Sequence, residues 1–347
     1  MENLSRYSKQ YPDLILRIIE FFNAMKATSV INSLNVLSPK SLSDFVEHCI
    51  VDEGFYSLPN PRILAKICDK LCETGLDMSL SQRGIDELGN TYLCWLDDEW
   101  DSLSIFEKKQ YIQRYECAVY GFTYIYEKYK SLIFPIIHHA HNGDISVCTG
   151  FFYHSGIATA KHCLEGAKQI DIMHIPKEQL ENATIYISEN PNMDIAYIEL
   201  NRTIESISEN AMIENLDFPE ILEEVITMGH PKIPGYTDFQ TAEKATVSAL
   251  PHKKITATTG SVAAIARQIF MNENLFLITA KIKGGNSGGP VINKYGEVIG
   301  LVSEIPFADG NYDDLGYGTA IPIKFLNDVI KMQASTIQSI AFGNYEV

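Results

Sequence analysis

The sequence has little positive charge: 28 Lys and Arg stand against 44 Asp and Glu, a formal net charge of −16 over 347 residues. Polyanions are repelled by such a balance, so general attraction to nucleic acid or to anionic lipid is disfavoured, and a protein partner or substrate fits better. Long apolar runs are missing as well. Residues 132–137 hold a proline and stop at His138, far short of the ~18 residues that span a bilayer. The first nine residues offer no basic segment leading into an apolar one, and residues 14–16 are cut short by Arg17 and Glu20. Neither a signal peptide nor a membrane anchor is read, and a cytoplasmic location is expected. Cysteine is sparse and odd in number, at positions 49, 68, 72, 94, 117, 148 and 163, five of them in segments that read as helix. That is not the pattern of a secreted disulfide framework, so reduced thiols are the default. Low-complexity tracts and internal repeats are absent.

What is present falls into two halves, as the length allows at ~150 residues per domain. Up to about residue 130 the apolar spacing is helical: Leu14, Ile18 and Phe22 line one face with Ile15 and Ile19 beside them. Asn60-Pro61 opens a second helix that Thr74-Gly75 closes. A third is expected over residues 104–130, with Ile112, Tyr115, Val119, Phe122 and Tyr126 at three-four spacing. From Ile136 onward short β-rich runs sit between glycines, over residues 146–153, 170–175, 184–188, 195–200, 224–228, 275–279 and 298–302. Many short strands at such spacing mean a sandwich or barrel. The expected fold class is therefore α+β and multidomain: an all-α, winged-helix-like domain over residues 1–130, an all-β domain over 131–335, and a C-terminal tail over 336–347.

Serine is a weak nucleophile. Acyl transfer needs a histidine to take its proton, a buried carboxylate to orient that histidine, and N–H donors for the oxyanion. The segment Gly284-Gly285-Asn286-Ser287-Gly288-Gly289-Pro290 carries a serine between small residues that permit a sharp turn and close approach to a carbonyl. Alone it also reads as a glycine-rich β-turn. Upstream, Thr159-Ala160-Lys161-His162-Cys163 presents a histidine after small residues, and Met193-Asp194-Ile195-Ala196 an aspartate that alone reads as a turn residue.

In that order the three segments resemble the signatures of trypsin-like (chymotrypsin-fold) serine proteases, and the surroundings resemble the Deg/HtrA-type catalytic core. Val225-Ile226-Thr227-Met228-Gly229-His230-Pro231 is similar to that group's strand before a Gly-Tyr-Pro turn, and Gly296-Glu297-Val298-Ile299-Gly300 and Thr319-Ala320-Ile321-Pro322 to its closing strands. The resemblance covers roughly residues 134–330 and implies two six-stranded β-barrels with the site in the cleft between them. It gives His162 the role of general base and then acid, Asp194 that of fixing its tautomer, and Ser287 that of nucleophile. The N–H groups of Gly285 and Ser287 would form the oxyanion hole. No metal or organic cofactor is implied, and His138, His139 and His141, with no spaced partner ligands, read as strand and loop residues. Cys148 and Cys163 stand where many secreted relatives carry a disulfide bracketing the histidine; in a reducing compartment two buried thiols are expected.

Counting back from Ser287 in the family pattern places Lys281 at the base of the pocket for the side chain before the scissile bond, where trypsin has an aspartate. A recessed lysine would attract an acidic substrate residue. Strand alternation and the reach of its ammonium to water favour an outward Lys281. Ile282, Ile305 and Gly318, with Ser303 and Glu304 among the pocket residues, would then shape a pocket for small or medium apolar side chains; Glu304, Asp309, Asp313 and Asp314 would give a basic preference if their loop folded over the pocket, but read as a solvated loop. No PDZ domain follows Lys331 and no trypsin-type activation site precedes Ile136, which leaves control to the helical half. There, Arg62, Lys66 and Lys70 share one helix face, but residues 1–130 hold 14 Lys and Arg against 19 Asp and Glu, a balance of −5 that disfavours a phosphate footprint. The expected function is an intracellular serine endopeptidase acting on one or a few proteins, regulated through residues 1–130, in a layout that suits bacterial defence or stress response. The alternative is a DNA-binding or adaptor protein with the protease fold as scaffold.

Overall fold

The computed structural model describes residues 3–24, 28–31, 34–75, 77–96, 99–173, 175, 177–180, 183–200, 212–231, 254–268, 272–303, 306–307, 310–311, 316–333, 335–337 and 340–343. Two compact units divide the chain, Met1–Ile125 and Tyr126–Val347.

In the first unit, helix α1 (Leu14–Phe21) buries Leu14, Ile15, Ile18 and Ile19, the stripe its periodicity dictates. Strand β1 (Lys40–Ser41) runs into α2 (Leu42–Glu47), which begins in a capping box: the Ser41 hydroxyl accepts from Asp44 N–H and the Asp44 carboxylate accepts from Ser41 N–H. Helix α3 (Pro61–Glu73) is capped by Asn60, whose Oδ1 accepts from Ile63 N–H at 3.1 Å, with Pro61 at the first helical position. Strands β2 (Met78–Gln82) and β3 (Thr91–Cys94) complete a three-stranded sheet in the order β1-β3-β2. The unit is thus helical but not all-α, with α2 and α3 followed in the chain by β2 and β3. The strands escaped the sequence because they are only two to five residues long. The single helix expected over 104–130 is two: α4 (Ile105–Tyr120) stops at Gly121, whose φ of 74° a helix cannot continue, and α5 (Phe122–Tyr129) follows. Phe22, Phe45 and Tyr92 pack their rings together at the centre of the core.

The second unit is β-rich. Its first sheet holds β4 (Ile133–Ala140), β5 (Ile145–Tyr153), β6 (Gly156–Thr159), β7 (Ala167–Ile172), β8 (Thr184–Ile187) and β9 (Ala196–Glu199). The second holds β10 (Glu224–Gly229), β11 (Thr256–Gln268), β12 (Glu273–Ile278), β13 (Pro290–Asn293), β14 (Glu297–Val302) and β15 (Gly318–Pro322). These last six close into a ring, β10-β11-β12-β15-β14-β13 and back to β10. Val225, Val262, Phe276, Ile278, Val291, Ile299 and Val302 fill it. Together the two sheets give the chymotrypsin-like double β-barrel.

The residues expected as a C-terminal tail join the first sheet. After α6 (Ile323–Met332), β16 (Ser335–Ile337) pairs with β8 and β17 (Ala341–Phe342) with β7, capping both edges that would otherwise expose unpaired backbone groups. A polar cluster anchors α6: Asn327 Nδ2 donates to Glu214 at 2.9 Å, the Tyr153 hydroxyl hydrogen-bonds Glu214 and Asn327, and His154 Nε2 lies 3.2 Å from the same carboxylate. The His154 hydrogen bond, helped by those of Tyr153 and Asn327, overcomes desolvation and holds the Glu214 carboxyl down to about 2, while Glu214 raises His154. A depressed carboxylate stabilises the fold above its ordinary value of 4.5 and loses that contribution as pH falls toward about 2. A raised histidine stabilises below its ordinary 6.5 and loses that contribution as pH climbs through its folded value. Glu214→Gln should therefore destabilise this unit most between pH 4.5 and 6.5 and least near pH 2, read from denaturant midpoints across pH. A loss that does not vary with pH would show that the charge is not what holds the cluster.

Candidate active site

The meeting of His162 and Asp194 follows from strand register. In the antiparallel pair β6 and β9, Thr159 lies opposite Ala196, so the chain leaving β6 meets the chain entering β9. A 3₁₀ turn over Lys161–Cys163 then aims His162 at Asp194. His162 Nδ1 is 2.7 Å from Asp194 Oδ2, and the backbone N–H of His162 donates to Oδ1 at 2.9 Å, so one carboxylate grips both ring and backbone. From the second barrel Ser303 Oγ donates to Asp194 Oδ2 at 2.5 Å. Burial alone would raise the Asp194 carboxyl; hydrogen bonds and charge from His162, with the Ser303 bond, outweigh it and hold it below its ordinary range. The His162 side chain is 40% exposed while that of Asp194 is 14% exposed, which leaves the ring open to a cleft with its orienting partner shielded. Lys161, which the sequence did not single out, donates from Nζ to Pro191 O at 2.5 Å and pins the loop that carries Asp194.

Ser287 sits in the tight turn that enters β13. Asn286 N–H donates to Lys283 O and Gly289 N–H to Asn286 O, both at 2.9 Å, and Gly288 N–H donates to Val302 O on β14 at 2.7 Å. Gly288 has a φ of 84°, and a Cβ there would lie 2.3 Å from Thr149 O, so any larger residue would push the turn off β5. Gly285 has a φ of 102°. Among the described residues the N–H groups of Gly285 and Ser287 donate to nothing, while those of Asn286, Gly288 and Gly289 are all used. Two unspent backbone donors flanking a buried serine are what an oxyanion hole requires.

Thr149, on β5, carries a role that sequence reasoning missed. Its N–H donates to Ser287 O at 2.9 Å, its hydroxyl donates to Gly285 O at 2.7 Å and accepts from His230 N–H at 2.9 Å, and its carbonyl accepts from Thr159 Oγ1 at 2.8 Å. One first-barrel residue thus holds the turn on both sides of Asn286. Nothing in the sequence marked it, since a threonine inside a β-rich run is ordinary.

Of the expected pocket residues, Lys281 is exposed and Gly318 lies hard against Ile282, with room for no Cβ: one built there would meet Ile282 Cδ1 at 2.1 Å. Ser303, expected in the pocket, is buried at the end of β14, with its hydroxyl on Asp194 and its N–H donating to Thr319 O at 3.1 Å. Glu304, Ile305, Asp309, Asp313 and Asp314 lie outside the described residues. The expectation of two free thiols at 148 and 163 is corrected. Cys148 and Cys163 are disulfide-bonded across a Cα separation of 5.8 Å, tying β5 to the His162 turn. Cys163 Sγ lies 3.8 Å from His162 Nε2 and 3.7 Å from Ser287 O, so the two ends of the site share this corner. The other five cysteines are free.

A double barrel with a His–Asp pair at one rim and a serine turn at the other defines the class of trypsin-like peptidases. Residues 148–301 match the family model of the trypsin-like peptidase domain, and the relatives that the chain resembles are proteases of the Deg type. It is 29% identical over 194 residues to the "Probable periplasmic serine endoprotease DegP-like" of Buchnera aphidicola subsp. Baizongia pistaciae, covering 54% of this chain and 34% of that protein. To the "Serine endoprotease DegS" of Haemophilus influenzae it is 24% identical over 180 residues, covering 50% and 46%. The chain therefore spans less than half the length of these relatives. A solved protease from M. tuberculosis in its active form is similar with a TM-score of 0.46 and 16% identity, over 62% of this chain and 86% of that one. The cytoplasmic expectation is overturned by these relatives, which include periplasmic serine endoproteases.

Thr149→Val keeps the shape and removes the hydroxyl, leaving the His230 N–H and the Gly285 carbonyl without it. Peptidase kcat should fall about tenfold or more with KM little changed, and Thr149→Ser should restore it. Equal losses in Thr149→Val and Thr149→Ser would reduce Thr149 to a packing residue.

Proposed function

We propose that this chain is a serine endopeptidase that hydrolyses peptide bonds of protein substrates through Ser287, His162 and Asp194. The observation that carries the proposal is the doubly held His162, reached by the same Cys163 sulfur as the Ser287 turn, whose Gly285 and Ser287 N–H groups are unspent among the described residues. Ser287 Oγ attacks the carbonyl carbon as its proton passes to His162 Nε2, and Asp194 stabilises the imidazolium through Nδ1. The oxyanion develops toward the two N–H groups, the imidazolium protonates the leaving amine, and water repeats the sequence to free the acid. A fluorophosphonate probe and a peptide library test this together. Wild type should label and cleave, while Ser287→Ala, His162→Ala and Asp194→Ala should each lose roughly three orders of magnitude or more with the fold intact. Retention of more than about a tenth of the activity by pure Ser287→Ala would sink the mechanism.

The same library reads the side chain preferred before the scissile bond. An exposed Lys281 and the close Ile282–Gly318 contact support a small or medium apolar one. The names of the periplasmic relatives and the Cys148–Cys163 bond, which belongs to an oxidising compartment, support an envelope location.

We further propose that residues 1–130 regulate the peptidase by binding a protein partner, in stress response or defence. The order of α2, α3, β2 and β3 in this unit favours a second reading, a winged-helix DNA-binding adaptor. Against it, Lys70 is paired with Glu73 and Arg83 with Asp69 on the helix and wing that would meet DNA. Deleting residues 1–130 should leave a soluble β-rich peptidase whose rate is raised or no longer answers its trigger. An unchanged rate would count against regulation.

A further inference from the structure

We propose that reduction of the Cys148–Cys163 bond uncovers a binding site for a zinc-class cation made by both sulfurs and His162 Nε2, and that filling it switches the peptidase off. The ligand atoms of Cys148, His162 and Cys163 already lie within 4.8 Å of one another, with Cys163 Sγ at 3.8 Å from His162 Nε2. Tetrahedral zinc, with Zn–S near 2.3 Å and Zn–N near 2.0 Å, places its ligand atoms about 3.5–3.8 Å apart, so little movement separates this corner from a coordination shell. Two thiolates and one imidazole select zinc-class ions over magnesium or calcium, and the two thiolate charges cancel that of the ion inside a buried pocket.

The orienting group is also in place. Asp194 holds Nδ1 at 2.7 Å, which directs Nε2 as the donor atom, and a carboxylate behind a metal-bound imidazole is the usual arrangement. Cys148 and Cys163 are 5% and 1% exposed, so the ion and a fourth, water ligand would enter from the cleft side, past the 40% exposed His162.

The chemistry balances. A dithiol donates two electrons and two protons to the disulfide, giving two protein thiols and its own cyclic disulfide. The cation then displaces both thiol protons and takes the Nε2 lone pair. An Nε2 bound to metal cannot accept the Ser287 proton. That consequence rests on the role proposed for His162 above; metal binding itself does not.

The test uses the full chain as Ser287→Ala, reduced with a dithiol and desalted without oxygen, then titrated with cobalt(II). One equivalent showing thiolate-to-cobalt charge transfer should bind to the reduced protein and not to the oxidised one, whose five other cysteines are free in both states. The band should vanish in Cys148→Ser/Cys163→Ser, and binding should weaken in His162→Ala by more than the roughly tenfold that losing an outer partner costs. In wild type, zinc should abolish more than about nine-tenths of the peptidase activity of reduced protein, reversibly with EDTA, and spare oxidised protein. The same cobalt spectrum in both redox states, or equal inhibition of both, overturns the site. Cobalt bound as expected in a protein whose oxidised wild type never cleaves overturns the peptidase reading and leaves the site standing.

Discussion

Thr149 is the point on which the geometry of the site depends. A double-barrel site draws its base from one sheet and its serine from another, so its precision is only as good as the join between them. Here the join is a single strand residue whose N–H and hydroxyl hold the Ser287 and Gly285 carbonyls at 2.9 and 2.7 Å. These bonds lie in a buried setting, where leaving a polar group unpaired costs more than forming the bond gains, so the turn has one low-energy position. Ser303 makes the reciprocal connection, from the second barrel back to Asp194. The two threads cross the same interface in opposite directions.

The Cys148–Cys163 bond reinforces that corner at the residues next to Thr149 and His162 in the chain. One of its sulfurs lies against both the His162 ring and the Ser287 carbonyl. The five other cysteines lie in the first unit, four of them buried. Burial pushes the Cys49 and Cys72 thiols up to about 11, so they remain protonated and slow to oxidise.

The three-stranded sheet of the first unit and the closure of the second unit's first sheet by C-terminal strands share a physical origin. Both depend on short strands of two to five residues that satisfy backbone edges. Such strands are selected by the edges they cover.

By itself the sequence determined the β-barrel class of the second half and the helices of the first. Helical periodicity at Leu14, Ile18 and Phe22, the Asn60-Pro61 cap, and the glycines around Ser287 are local signals, because caps and turns are set by residues within a few positions of one another. Seven of the strands were legible as β-branched runs. The thirteen-residue β11, rich in Thr and Ala, was not, since its partners β10 and β12 make it a strand. Only the tertiary structure decided that the Ser303 hydroxyl bonds Asp194, that Thr149 anchors the serine turn, and that Cys148 and Cys163 are bonded and not two thiols. The first two are contacts between residues more than a hundred positions apart, where register and barrel closure choose the partner and no local pattern records the choice.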